Sequence, residues 1–467
     1  MAVVAGACAP VAGANPVVPG HHPDPSILRT AGGWYATSTS NEWLPAFPVL
    51  RSRDLAHWRQ VGSVLSVRPR WARNDFWAPE LVRGGGRVLA YYAALGRNGR
   101  RCVAGASAAR VAGPYRDHGP IVCSPVGEID PLPAEDELHA PWLVWKRNGN
   151  SRGRPTPILA APLAPGGMSL AGPPRELFRD SAVWERHNIE APALIRHDGF
   201  TYLLYSAGHC CGRNCTYATG VARAPTLLGP WEKRSGPILR GGGGVRCAGH
   251  VGVTSARDGA PLLAYHAYVR GDPADRQMFI APLRFDEEGW PTVGAALDVR
   301  AEPAPVTGWQ WPAGPRPAFS ATREALALSG GTVARQIGTT RFTAETVLHV
   351  ADRSAFPSLS VTGSQGNAVG IEMRASELAA WRSVEGRRRT TGRLRLPPGR
   401  PAAGGGRVRL RLVAGDRVGV AVRVRGRWRR VGTRQPPPRW ANGARIALSV
   451  AARHRTVRFE APAIRPR

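Results

Sequence analysis

Lysine is almost absent from this chain of 467 residues: Lys146 and Lys233 are the only two, so 61 of the 63 basic residues are arginine. That imbalance looks like a genome-wide bias toward arginine codons. Acidic residues are scarce too, 33 in all, and the formal net charge is +30. No run of about 18 apolar residues occurs, which excludes a membrane-spanning helix. Sustained helical periodicity is missing, and the stretch around Ser376 to Val384 is the longest compatible with a helix. With 55 glycines and 43 prolines, the chain reads as almost entirely β. No helix-turn-helix, zinc-finger or RNP-type motif accompanies the charge, so nucleic acid is not an expected partner.

The charge is also unevenly placed. From Pro305 onward 30 arginines stand against 8 Asp and Glu. They alternate with valine and leucine, as in GGRVRLRLV and GVAVRVRGRW, which puts arginines on the solvent face of strands. Attraction to an acidic polysaccharide is the lesser reading of the same pattern.

What the first 300 residues do contain is a repeat. HPDPSIL, FWAPELV, EIDPLPA, NIEAPAL and GHVGVTS each precede a turn and an apolar, aromatic-rich run such as GGWYATSTS or DGFTYLLYSA. Taking Asp24, Ala78, Asp130, Glu190 and His250 as markers, the units recur every 50 to 60 residues or so, a period that suits a bladed ring of four-stranded sheets. Five units imply five blades. Three of the five markers are acidic, and a closed ring brings them to one axial site. Two or three convergent carboxylates are the minimum for splitting a glycosidic bond.

Length supports two domains. The expected division is an export-signal remnant or disordered stretch at 1–14, a five-bladed β-propeller at 15–303 and a β-sandwich at 316–467. The sandwich is read from alternating strands and Gly turns in RQIGTTRFTAETVLHV and ARIALSVAARHRTVRFEAP. Apart from Cys8 in the N-terminal stretch, six cysteines remain: Cys102, Cys123, Cys210, Cys211, Cys215 and Cys247. Their pairing is open, with Cys102 and Cys123 within one unit and CCGRNC able to hold two bridges together with Cys247. The spacing does not suit a zinc knuckle, where His209 is the only close nitrogen ligand. The small, apolar N-terminus ends in an AGA cleavage pattern, so a secreted or periplasmic location is expected.

In order, NPVVPGHHPDPSILR, EWLPAFPVLRSRDLAHWRQVGSVL, FWAPEL, EIDP, NIEAPALIRHDGFTYLLYSAG and GHVG with LLAYHAY resemble the motifs of glycoside hydrolase family 43. The likeness spans about residues 15 to 300. It implies a five-bladed propeller and an inverting β-xylosidase or α-L-arabinofuranosidase, with arabinanases and galactanases in the same family. It also implies carbohydrate as the partner: xylan, arabinoxylan or arabinan fragments. The C-terminal part resembles, more weakly, the concanavalin A-like jelly-roll that follows many such propellers. Oligomeric state stays open.

Carried over by position, the resemblance makes Asp24 the general base, Glu190 the general acid and Asp130 the residue that tunes and orients that acid. Inversion needs one carboxylate to activate water on one face of the sugar and one carboxyl to protonate the leaving oxygen on the other. A carboxylate beside Glu190 is expected to raise its pKa by like-charge repulsion. Trp77 and Trp43 are candidate walls of the sugar site, because sugar C–H faces pack on aromatic rings. Arg276 matches a position that contacts sugar hydroxyls. His250 matches an axial histidine that in some members helps hold a structural calcium through water. No cofactor is required by this reading. The third unit departs from the pattern at Glu135, Asp136 and Glu137, and SAGHCCGRNCTYATGVA reads as an inserted cysteine-rich loop.

Overall fold

The computed structural model of the chain describes residues 15–271, 274–299, 308–350, 353–364, 366–396, 406–440, 443–452 and 454–467. The expected signal remnant at 1–14, with Cys8, lies outside the described residues, and so does 300–307 at the expected domain boundary. Among the described residues there is no α-helix, only strands and short 3-10 turns. The protein is all-β. Even Ser376 to Val384 is extended, as the strand Glu377–Val384.

Five antiparallel sheets follow one another along the chain. Their leading strands are Ser26–Thr30, Ala72–Gly84, Glu128–Glu135, Ile189–His197 and Val245–Ser255. Each pairs with the strand that follows it, and later strands add outward in chain order. Two-residue turns close two of these leading hairpins, Gly85-Gly86 at φ 57 and 72° and Asp198-Gly199 at φ 44 and 76°. Both residues of each turn are left-handed, the geometry that matches the twist of paired strands and that glycine adopts without strain.

Burial follows position in the sheet. The second strands Arg87–Gly96, Phe200–Ala207 and Pro261–Val269 carry long buried runs, as strands covered on both faces must. The edge strand Arg116–Cys123 instead alternates between exposed and half-buried positions.

Apolar clusters lie between successive sheets. Tyr91 and Val103 meet Leu143 and Trp145, joining the second and third. Val144 and Ile158 meet Ile189 and Leu203, joining the third and fourth. Tyr202 and Leu204 meet Leu263 and Phe279, joining the fourth and fifth. Leu262 and Ile280 of the fifth meet Ile27 and Trp34 of the first. Phe47 of the first packs edge-on to Phe76 of the second at 6.1 Å between ring centres. Each such buried ring contributes about 1.5–3 kcal/mol. Upstream of the first sheet, Val17 N–H donates to Met278 O at 2.9 Å and Met278 N–H to Val18 O at 3.1 Å, so the N-terminal segment pairs with the fifth.

The chain separates into two compact units, Met1–Gly271 with Arg276–Val306 and Asp272–Asp275 with Thr307–Arg467. In the second unit a six-stranded and an eight-stranded antiparallel sheet share one core, to which Leu328, Phe342 and Leu348 come from one and Leu359, Ile371 and Leu448 from the other. In Gly406–Ala414, Val408, Leu410 and Leu412 are buried, whereas Arg407 and Arg409 are exposed and Arg411 half-buried. Arg407 pairs with Glu460, and Arg411 with Glu345 at 2.7 Å. These arginines form a solvated face, as alternation predicts.

Candidate active site

Each leading segment has a left-handed residue near the repeat marker, Asp24 (φ 55°), Ala78 (φ 46°), Asp130 (φ 54°), Ala191 (φ 55°) and His250 (φ 49°), and the second and fifth leading strands add Asp75 and Cys247, both at φ 57°. In the second to fifth sheets a register shift interrupts pairing beside it. A non-glycine residue there costs about 1–2 kcal/mol, and such strain gathers where a bulge re-aims side chains. Four of these residues use their amide on a neighbouring sheet. Ala78 N–H donates to Thr39 Oγ1 at 2.7 Å, Ala191 N–H to Asp130 Oδ2 at 2.9 Å and His250 N–H to Ser206 Oγ at 2.8 Å. Asp24 N–H donates to His266 Nδ1 at 3.0 Å, linking the first sheet to the fifth. The repeat phase is therefore a backbone feature, and its fourth marker is Ala191, one residue past Glu190.

Asp24 is held on both oxygens. Thr39 Oγ1 donates to Oδ2 at 2.6 Å and Arg276 Nη1 to Oδ1 at 3.2 Å. His250 Nδ1 lies 3.3 Å from Oδ1. His266 Nδ1 is 3.4 Å from the same oxygen, yet this is no ion pair. Burial, with the charges of Arg276 and His250, pushes His266 well below the usual histidine range, and its Nδ1 lone pair already accepts the Asp24 amide.

Glu190 departs from expectation. Burial alone would raise its carboxyl, but the ammonium of Lys146 holds it below the ordinary value. Lys146 Nζ donates to Glu190 Oε2 at 2.7 Å, to Asn188 Oδ1 at 2.8 Å and to Asn150 Oδ1 at 3.2 Å. Those contacts use all three of its N–H groups. Asn188 Nδ2 adds a 3.3 Å contact to the same carboxylate oxygen, and the Tyr217 hydroxyl bonds the carboxylate as well. Of the two carboxyls, Asp130 is the one shifted toward its protonated form. Burial pushes its carboxyl up to about 6, with Glu190 and Asp24 adding to the rise and His250 and Lys146 opposing it. Like-charge repulsion thus acts on the partner of the residue for which it was expected, because a lysine compensates Glu190.

Asp24, Asp130, Glu190, His250 and Arg276 therefore sit in one electrostatic neighbourhood. Trp77 is half-buried, with Nε1 donating to Asn41 Oδ1 at 3.1 Å. The Arg101 guanidinium covers it 4.5 Å from a ring centre. Trp43 is only 4 % exposed. Lys146, Tyr217, His266, Thr39 and Asn188 belong to the site without having been singled out in the sequence.

Calcium takes six to eight oxygen ligands. Around His250 the side chains offer an imidazole and an Asp24 carboxylate already bonded to Thr39 and Arg276. They do not fit a directly ligated ion, and no group of three His, Cys, Asp or Glu among the described residues is arranged to hold a metal.

Two disulfides form among the described residues, Cys102–Cys123 across paired strands and Cys215–Cys247. The second ties the cysteine-rich loop to the leading strand of the fifth sheet. Cys210 and Cys211 are unbonded, so of the pairings left open for CCGRNC and Cys247 one bridge forms, Cys215–Cys247.

Known proteins resemble this chain in sequence and in fold. An exo-α-(1→5)-L-arabinofuranosidase of Cellvibrio japonicus, ArbA, described as extracellular, is 28 % identical over 303 residues, 58 % of this chain and 85 % of that one. Xylosidase/arabinosidase 43B of Humicola insolens is 28 % identical over 54 % of this chain, which spans only 48 % of that protein. The crystal structure of a xylan β-1,4-xylosidase from Bacillus halodurans shares the fold, with a TM-score of 0.81 at 20 % identity over 97 % of this chain and 99 % of that one. Residues 13–291 match the model of glycosyl hydrolases family 43, and the chain belongs to that family.

Proposed function

We propose that the chain is an inverting glycosidase releasing xylose or L-arabinose from xylan, arabinoxylan or arabinan fragments, with Asp24 as base and Glu190 as acid. The observation that carries the reading is the shared neighbourhood of Asp24, Asp130 and Glu190, each on a different sheet. The names of the relatives support a pentose substrate.

The five sheets are read as blades of a closed propeller, with Asp24, Asp130 and Glu190 on blades one, three and four. Sheet-to-sheet amide bonds and the packing of the fifth sheet on the first support closure. The two C-terminal sheets are read as a jelly-roll sandwich of concanavalin A-like type. The extracellular relatives fit a secreted enzyme.

Water held by Asp24 attacks the anomeric carbon while the glycosidic C–O bond breaks. Asp24 takes a proton from that water, and Glu190 gives one to the departing oxygen. Thr39 and Arg276 fix the direction of the Asp24 carboxylate. In the resting site Asp130 binds a proton more readily than Glu190 does. A seated sugar displaces water from Glu190, which favours its protonated form and readies the acid. Trp77 offers its ring to the sugar, and Arg276 reaches a hydroxyl from beside the base. No step passes through a metal; a calcium ion near His250 would be held through water and would supply fixed charge only.

The experiment is hydrolysis of unsubstituted phenyl β-xylosides and phenyl α-L-arabinofuranosides, whose leaving group needs a proton, by Asp24→Ala and Glu190→Ala. Each loses activity by about a hundredfold or more, the scale of a general acid or base. Undiminished turnover in both variants overturns the reading.

A further inference from the structure

The cysteine-rich loop holds a pair that the chemistry above does not use. Cys210 Sγ and Cys211 Sγ approach to 2.7 Å, inside ordinary contact of two sulfur atoms. Cys210 packs against Tyr217 and Tyr268, and Tyr217 is the residue whose hydroxyl bonds Glu190. Cys211 is exposed. The loop is pinned on both sides of the pair. Gly212 N–H donates to the Tyr268 hydroxyl at 3.1 Å, Thr216 N–H to His209 O at 3.0 Å, and Cys215 is bridged to Cys247. Arg276, which bonds Asp24, acts electrostatically on both sulfurs.

We propose that Cys210 and Cys211 are a vicinal dithiol that closes to a disulfide and, through Tyr217 and Arg276, sets how tightly the site holds its sugar. The functional half of this proposal rests on the glycosidase reading; the pairing itself does not. The oxidant is a low-molecular-weight disulfide. The Cys211 thiolate attacks one of its sulfurs, forming a mixed disulfide and expelling one thiolate. Cys210 then loses its proton and attacks the Cys211 sulfur, expelling the second. Two protein thiols have lost two electrons and two protons, and the small disulfide has become two thiols.

The surroundings favour that order of attack. Hydrogen bonding from Cys210, with help from the Arg276 cation, pulls the Cys211 thiol down to about 7. A large share is thus thiolate at neutral pH, and the thiolate is the attacking form. Adjacent Cα atoms lie about 3.8 Å apart, closer than disulfides prefer, and a bond strained in this way is readily reduced. Cys102–Cys123 and Cys215–Cys247 span strands and loops without that constraint.

Trypsin can release His197 to Arg213, which contains Cys210 and Cys211 and no other cysteine. The full chain is treated with oxidised glutathione or mild dithiothreitol, alkylated, digested and weighed. The expected result is a peptide two hydrogens lighter and unalkylated after oxidation, and doubly alkylated after mild reduction, with both other bridges intact throughout. KM on an aryl arabinofuranoside or xyloside then differs between the two forms by about three- to tenfold, the range of one hydrogen bond gained or lost. That difference disappears in Cys210→Ser and Cys211→Ser. Phenylarsine oxide, which bridges two neighbouring thiols, acts on the reduced form only. Two independently alkylated or glutathionylated thiols after oxidation overturn the pairing. Equal KM values overturn the effect on the site. A wild type that turns over no glycoside in either state counts against the glycosidase reading, and the Kd for xylose and arabinose in the two forms then replaces KM.

Discussion

Lys146 donates to Glu190 Oε2 at 2.7 Å, and none of the lysine side chain is exposed. The chain's other lysine does the same kind of work, with Lys233 Nζ 2.8 Å from Oε1 of the buried Glu185. A protein that uses arginine almost everywhere keeps lysine at these two glutamates, where the ammonium acts as a compact point charge.

Removing the Lys146 charge is expected to move the alkaline limb of kcat/KM upward. The cation favours ionised carboxylates, so without it the Asp130–Glu190 pair keeps its proton to higher pH. Lys146→Met should shift the limb by about one pH unit, the scale of one lost nearby charge. Lys146→Arg should bring it back toward wild type. A pH profile unmoved in Lys146→Met contradicts this.

Asp130 is expected to trade stability for function. Burial raises its folded pKa to about 6, above the usual carboxylate range. A raised carboxyl contributes stability below its unfolded pKa and loses that contribution as pH climbs through the folded one. Asp130→Asn, whose amide oxygen can still accept the Ala191 N–H, should therefore raise Tm at pH 7.5, give no gain at pH 3, and lower kcat. Thermal unfolding at the two pH values checks it.

Trp77→Ala should raise KM for aryl glycosides with kcat less affected. The loss of one stacked ring face is worth about 0.5–1.5 kcal/mol beyond area, or roughly two- to tenfold. Steady-state kinetics with a circular dichroism check of folding separates this from misfolding.

Much of the architecture is legible in the sequence because the repeat is a backbone constraint. Each unit places a left-handed residue at the repeat phase, and Asp24, Ala78, Asp130 and His250 mark that position themselves. Glu190 sits one residue off, since Ala191 takes the strained conformation and Glu190 keeps an extended one. What stays hidden depends on neighbours distant in sequence. Lys146 comes from the second strand of the third sheet, 44 residues before Glu190, and Tyr217 and His266 come from farther along the chain. The signal for Lys146 was present as its rarity, which composition alone reads as codon bias. The arginine-rich strands of the second unit were legible because alternation with valine and leucine fixes their faces. The Cys215–Cys247 bridge was not, because local sequence cannot show which sulfur of CCGRNC reaches Cys247.

The most direct test of Asp24 as base and Glu190 as acid is the dependence of kcat/KM on the leaving group. A dinitrophenolate departs without a proton, whereas an alcohol or unsubstituted phenol needs one. Glu190→Ala should retain most activity on the dinitrophenyl glycoside and lose about a hundredfold or more on the phenyl glycoside, while Asp24→Ala loses that much on both. Equal losses for Glu190→Ala on the two substrates, or an active Asp24→Ala, would contradict the assignment.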